Sequence, residues 1–130
     1  MYEVYVAESF EAAHRLVGDF GPATRLHGHT YRVEVIVRGE TLKDDGTLYD
    51  LGELGQNVKN LAAELHYRNL DEIEGLAGRN TTAEAVADFI WERLAPPLRK
   101  ENLSALTVRV WENPNAWAAR EDGLSREAGS

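Results

Sequence analysis

Cysteine is absent from all 130 residues, and several chemistries go with it. There is no disulfide, no thiolate nucleophile and no thiolate ligand for a metal. Long apolar runs are missing too, since no segment approaches the roughly 20 residues that cross a bilayer. The first residues alternate as a strand and lack the charged and apolar blocks of a signal peptide, so a soluble, cytoplasmic protein is expected. Positive charge is scarce: 14 Lys and Arg stand against 22 Asp and Glu, for a formal net charge of −8. That balance argues against a general nucleic-acid surface or a surface for anionic membranes. It still allows a local basic pocket, and Arg15, Arg25 and Arg32 lie close to one another in sequence. The length suits one domain with one core, with no internal repeat of solenoid kind.

Histidine is also sparse, and its placement carries the first functional signal. Three of the four histidines fall between Phe10 and Tyr31. His27 and His29 are two apart and lead into Tyr31-Arg-Val-Glu-Val-Ile-Val37, which alternates as a strand. Residues two apart on a strand share a face, so these imidazoles stand side by side with Gly28 between them. His14 follows a first strand-like run from Tyr2 to Phe10. If the two strands pair through the loop Val17-Gly-Asp-Phe-Gly-Pro22-Ala, His14 closes a cluster of three nitrogens. Three neutral imidazoles without cysteine match a catalytic zinc with one position open for water or substrate. The spacing alone also admits a pair of histidines at the surface or satisfied in the core. His14 on a neighbouring strand weighs toward the metal.

Further along, the period changes. Asp44-Asp-Gly46 reads as a turn, consistent with a hairpin-type return before Leu48. Leu51, Leu54, Val58, Leu61 and Leu65 recur at three and four, one apolar stripe of a helix, with Asp50 as N-cap and Glu53 in capping-box position. A polar segment runs from Arg68 to Asn80. A second helix begins at Thr81 or Thr82 with Glu84 in its first turn, buries Val86, Phe89, Ile90 and Leu94, and is expected to stop at Pro96-Pro97. Leu106 to Glu112 alternates as a third strand and Ala116 to Arg120 as a short fourth. The expectation is an α+β domain over residues 1–121. It has a four-stranded antiparallel sheet in β-β-α-α-β-β order, two helices on one face, and a polar, disordered tail over 122–130. The opposite sheet face and the edges then require cover, which self-association supplies.

Read together, Phe10-x-Ala-Ala-His14, His27-Gly-His29-x-Tyr31, Asp50-Leu-x-x-Leu54, Asn69-Leu-Asp71, Thr82-x-Glu84 and Val110-x-Glu112 occur in an order that resembles the 6-pyruvoyltetrahydropterin and 6-carboxytetrahydropterin synthase family. The resemblance runs from Tyr2 to about Arg120. It implies the tunnelling fold (T-fold), assembly into trimers or hexamers with sites at subunit interfaces, and Zn²⁺ held by His14, His27 and His29. It implies a dihydropterin substrate, 7,8-dihydroneopterin triphosphate or a relative, with the metal acting as a Lewis acid on side-chain oxygens. Glu112 matches the pterin anchor, where one carboxylate accepts from the amino and ring N–H groups together. Without the resemblance, Glu112 reads as a solvated residue at a strand end. Thr82 and Glu84 match positions that help bind the pterin edge, a role compatible with helix capping. The short length and the blocks around His14 and His27 look more like carboxy-forming members, a lyase feeding 7-deazapurine (queuosine) synthesis.

Two departures stand beside these matches. Synthases of the family place a cysteine before the His-x-His as the base that removes a proton; the corresponding residue here is Ala23. A side-chain-cleaving branch places a glutamate in this loop, and none lies between Phe20 and His27. The family's Asp-His relay aligns with His66 and Tyr67, which become the candidate catalytic pair. His66 is a candidate acid–base group and Tyr67 a potential proton donor; His66 also suits a helix C-terminus on dipole grounds alone. A pterin-binding member without turnover is the alternative. A zinc hydrolase unrelated to pterins would need a nearby carboxylate base, for which Glu11 is the candidate.

Overall fold

Alternation along the first two strands settles most of the architecture. In the computed structural model, which describes residues 1–125, β1 (Tyr2–His14) and β2 (His27–Gly39) pair antiparallel over their full lengths, from Tyr2 opposite Gly39 to His14 opposite His27. Both strands run further than the apolar alternation alone indicated, because the histidines themselves continue the ladder. Tyr31, Val33, Val35 and Val37 are all buried on one face. Strand β4 (Ala105–Asn113) adds Leu106, Val108 and Val110 to that face and pairs with β5 (Ala116–Gly123).

Helices α1 (Leu51–Leu65) and α2 (Ala83–Leu98) cover this face, α1 against β1 and α2 against β4 and β5. Asp50 caps α1 by accepting from the N–H groups of Gly52 and Glu53 at 2.8 and 3.2 Å. Leu54, Val58, Leu61 and Leu65 are buried as the stripe requires. Leu51 is half exposed, since the first residue of the helix projects past the sheet's edge of cover. At roughly 1.5–3 kcal/mol for each fully buried Leu or Val, that stripe is what holds α1 down. Thr82 caps α2 through the N–H of Ala85 at 3.1 Å. Trp91 locks α2 to β4, its indole N–H donating to the Leu106 carbonyl at 2.8 Å.

Five expectations are corrected. The sheet has five strands in the order β3-β1-β2-β4-β5, and it is mixed: β3 (Arg68–Asn69) lies parallel to β1 beside Ala12 and Ala13. Tyr67, at φ 59°, turns the chain out of α1, and its N–H donates to the Glu11 carbonyl at 2.6 Å. Two residues show no alternation, so the strand had no signature in sequence. The segment from Arg68 to Asn80 is not wholly polar, for Leu70, Ile73 and Leu76 are buried. Pro96 and Pro97 do not stop α2, which runs to Leu98. Each proline lacks only its own N–H, and the carbonyls this frees, at Glu92 and Arg93, belong to exposed residues that water serves. Strand β5 extends to Gly123, and Leu124 is buried with its N–H on the Ser104 carbonyl. The polar tail therefore does not begin at Asp122; residues 126–130 of that expected tail lie outside the described residues. Likewise the turn at Asp44-Asp-Gly46 delivers the chain to Leu48, Tyr49 and α1 directly, not to a hairpin strand.

The sheet face away from the helices is polar and joined by side-chain contacts. Glu34, whose side chain is 13% exposed, accepts from the Tyr5 hydroxyl at 2.8 Å and from the Trp111 indole N–H, with Arg109 at 3.5 Å. Burial pushes the Glu34 carboxyl up, but the Trp111 and Tyr5 hydrogen bonds and the Arg109 and Arg32 charges outweigh it and hold its pKa below the ordinary 4.5. Glu34→Ala strands these donors, and a loss of about 1–3 kcal/mol in chemical denaturation is expected. A depressed pKa stabilises the fold above 4.5 and ceases to do so as pH falls through the lowered value, so the gap between Glu34→Ala and wild type narrows in acid.

Candidate active site

The register of β1 on β2 delivers the three histidines to one end of the sheet. His14 faces His27, Ala12 faces His29, and the three imidazoles project from the same face. Ring centroids lie 4.6 Å apart for His14 and His27, 5.1 Å for His14 and His29, and 4.8 Å for His27 and His29. One nitrogen from each ring falls within 4.8 Å of the others. Hydrogen bonds at the remaining nitrogens fix which atoms these are. His14 Nδ1 is 2.7 Å from the Thr81 carbonyl and His27 Nδ1 is 2.7 Å from the Arg25 carbonyl. A carbonyl only accepts, so both Nδ1 atoms carry a proton, and in the neutral rings Nε2 is the atom with the lone pair.

Two of those inward nitrogens, His14 Nε2 and His29 Nε2, are buried with no hydrogen-bond partner among the described residues. Buried polar atoms are nearly always satisfied, and an orphaned lone pair in a cluster of three is what a cation site looks like before the cation. Burial lowers the pKa of His29, the nearby His14 and His27 act the same way, and Glu112 opposes them. His29 is thereby kept in the neutral form that coordinates. Three neutral nitrogens with no thiolate fit zinc with one open position.

Glu112, in β4 and partly buried, sits on the histidine face close enough to influence both His29 and Tyr31. It opens into a cleft of about 340 Å³ lined also by Thr82, Glu84, Leu16, Phe20 and Trp117. Strand β4 and the first turn of α2 thus bring together the three residues expected to meet a pterin. Thr82 caps the helix and lines the cleft at once. The Tyr31 hydroxyl, fully buried beside the histidines, has no partner among the described residues. Burial, Glu112 and Asp71 all push its pKa up.

His66 and Tyr67 occupy a different place. His66 follows α1, and its Nδ1 accepts the backbone N–H of Glu11 at 3.0 Å. Its ring stacks on Tyr67, centroids 3.9 Å apart. Tyr67 lines a second cavity of about 490 Å³ at the β1 edge together with Arg68, Asn69, Glu11, Thr30 and His29. Neither residue enters the Glu112 cleft within one chain. Tyr67 shares a lining with one histidine of the cluster, and so does Glu11, whose carboxylate is 3.2 Å from the Thr30 hydroxyl. Ala23 lies in a short 3₁₀ turn, its carbonyl accepting the Leu16 N–H at 2.9 Å; it offers no ionisable group.

Reasoning from sequence missed Thr81 and Asp71. Thr81 passes for a spare helix cap, and Asp71 for part of a motif with no stated task. The Thr81 hydroxyl donates to Asp71 Oδ1 at 2.6 Å across ten residues of loop, a contact invisible to linear spacing.

The hairpin-helix-hairpin plan, with both helices on one face, defines a tunnelling-fold protein. It superposes on the solved 6-pyruvoyl tetrahydropterin synthase from Caenorhabditis elegans with a TM-score of 0.76 at 27% identity, covering 93% of this chain and 95% of that one. The enzyme of the same description from Plasmodium falciparum gives a TM-score of 0.80 at 22% identity, with 94% and 98% covered, a likeness of fold. In sequence, a putative 6-carboxy-5,6,7,8-tetrahydropterin synthase of Pyrococcus horikoshii is 30% identical over 139 residues, covering 89% of this chain and 87% of the relative. A dihydroneopterin monophosphate aldolase of Pyrococcus furiosus is 38% identical over 104 residues, covering 80% and 83%. The family model for 6-pyruvoyl tetrahydropterin synthase matches residues 3–122. The chain belongs to that family.

Metal analysis after mild dialysis tests the cluster. About one zinc per chain is expected for wild type, and less than a tenth of that for His27→Ala, because two imidazoles leave the coordination set short of the usual three.

Proposed function

We propose that the protein is a zinc-dependent lyase acting on the polyol side chain of a 7,8-dihydropterin, and that it cleaves a carbon–carbon bond there. The observation that carries the reading is a ligand set and anchor carboxylate kept intact around a loop with no thiol. Forming a carboxy or pyruvoyl product requires a base strong enough to take a proton from carbon. Ala23 stands where that base is expected, and a methyl group accepts nothing. The glutamate of the side-chain-cleaving branch is absent from this loop as well, but aldol-type cleavage asks for less, since the first proton leaves from oxygen and not from carbon. A side-chain hydroxyl loses its proton and becomes a carbonyl as the adjacent carbon–carbon bond breaks. The electron pair passes toward the ring imine, and the carbon left on the ring takes up a proton. The likeness to the Pyrococcus furiosus aldolase supports this choice.

His14, His27 and His29 would hold the metal, which when bound supplies Lewis-acid chemistry that acidifies a coordinated hydroxyl. Glu112 accepts from the amino and ring N–H groups and fixes the heterocycle, with Thr82 and Glu84 at its edge. His66 and Tyr67 are the groups assigned to proton movement, Tyr67 from the second cavity and the pair from a neighbouring subunit's edge. Self-association into trimers or hexamers belongs to the same reading, supported by the polar sheet face that no helix covers.

The second reading is the 6-carboxytetrahydropterin synthase reaction, favoured by the likeness to the Pyrococcus horikoshii relative. Mass analysis of products from dihydroneopterin and its mono- and triphosphates separates the two. Cleavage releases a two-carbon aldehyde fragment and a 6-hydroxymethyl dihydropterin; the synthase reaction releases acetaldehyde and triphosphate. Substrate that binds and is returned unchanged leaves a pterin-binding member without turnover. Glu112→Gln is expected to lower kcat/KM about 10- to 100-fold, the equivalent of one charge-assisted hydrogen bond of ~1.5–3 kcal/mol.

A further inference from the structure

Behind the histidine cluster lies a second arrangement of side chains that neither binds pterin nor touches a metal directly. The Asp71 carboxylate accepts at both oxygens: Oδ1 from the Thr81 hydroxyl at 2.6 Å, and Oδ2 from the backbone N–H of Arg15 at 3.0 Å. Asn69 holds Asp71 in turn, accepting its N–H at 3.0 Å. Thr81 is wholly buried. Its carbonyl lies 2.7 Å from His14 Nδ1 and its hydroxyl oxygen 3.3 Å from the same atom.

The direction of each proton in this chain is forced from one end. An ionised carboxylate has no proton to give, so the Thr81 hydroxyl must donate to Asp71. Its lone pairs then face His14 Nδ1, as the Thr81 carbonyl does. Two acceptors at Nδ1 leave a single tautomer for the neutral ring, with the proton on Nδ1 and the lone pair on Nε2, the nitrogen buried among the other histidines without a partner. We infer that Asp71, by anchoring Thr81, is a positioning residue that keeps the Thr81 carbonyl on His14 Nδ1, and with it the tautomer and orientation that ready Nε2 for a cation. The inference rests on the metal-site part of the proposed function, not on any particular pterin reaction.

Asparagine at position 71 inverts the logic while keeping the shape. An amide has one accepting oxygen for the two donors at Arg15 and Thr81. If its NH₂ group faces Thr81, the hydroxyl loses its acceptor, Thr81 loses its anchor, and its carbonyl loses its hold on His14 Nδ1, which opens the tautomer with Nε2 protonated. The measurements need no substrate. Zinc affinity of the metal-free chain, by chelator competition, is expected to fall about 10- to 100-fold in Asp71→Asn, the range for ligand-orienting partners. Thr81→Val, which keeps the carbonyl but not the hydroxyl, is expected to lose less, and Thr81→Ser to stay within twofold of wild type. Nitrogen-15 NMR of the metal-free protein is expected to show His14 as the Nδ1–H tautomer in wild type and a shift toward Nε2–H in Asp71→Asn, a change that general loosening would not produce. Asp71→Ala serves if the asparagine variant fails to fold. Wild-type zinc affinity in a folded Asp71→Asn chain with His14 unchanged overturns the inference alone. A wild-type chain that holds no zinc overturns it together with the metal site, while zinc binding without pterin turnover overturns only the proposed reaction.

Discussion

The pairing of β1 with β2 is the constraint on which the rest depends. Thirteen residues on each strand lie in one unbroken antiparallel register, and a slip of one residue would send every side chain of a strand to the opposite face. Valines, Phe10 and Tyr31 would leave the core, and His14 would part from His27 and His29. The same hydrophobic term that selects the register therefore assembles the nitrogen cluster. No separate interaction has to gather the three imidazoles. They are the last rungs of a ladder fixed by apolar residues further along.

What sequence reading reached and what it did not follow from the same physics. Strands and helices with long periodic faces were legible, because burial imposes a period and the period is written in residues such as Val33, Val35, Leu54 and Leu61. The histidine cluster was legible because His-x-His on a strand has only one geometry. Strand β3 was not, since a left-handed Tyr67 and two backbone pairings leave no periodic trace. The helix running through Pro96 and Pro97 was missed because a rule about interior prolines was applied where the freed carbonyls face water. The separation of His66 and Tyr67 from the Glu112 cleft also had no linear signal. It depends on the path the chain takes after α1, which Glu11 fixes from 55 residues away.

The two faces of the sheet divide the labour. The helix-covered face is apolar for most of its length and turns polar only at the end where Glu112, Tyr31 and the histidines sit. The opposite face holds its charged groups in mutual contact around Glu34, Arg38 and Arg109.

Thr81 and Thr82 are consecutive, and they serve different masters. The first presents its carbonyl to His14; the second closes the end of α2 and faces the cleft beside Glu112. A single peptide bond thus joins the frame of the cation site to the wall of the organic one. Any displacement of the opening turn of α2 by an occupant of the cleft is transmitted to the imidazole next door within one residue's length. The two halves of the site are mechanically one part.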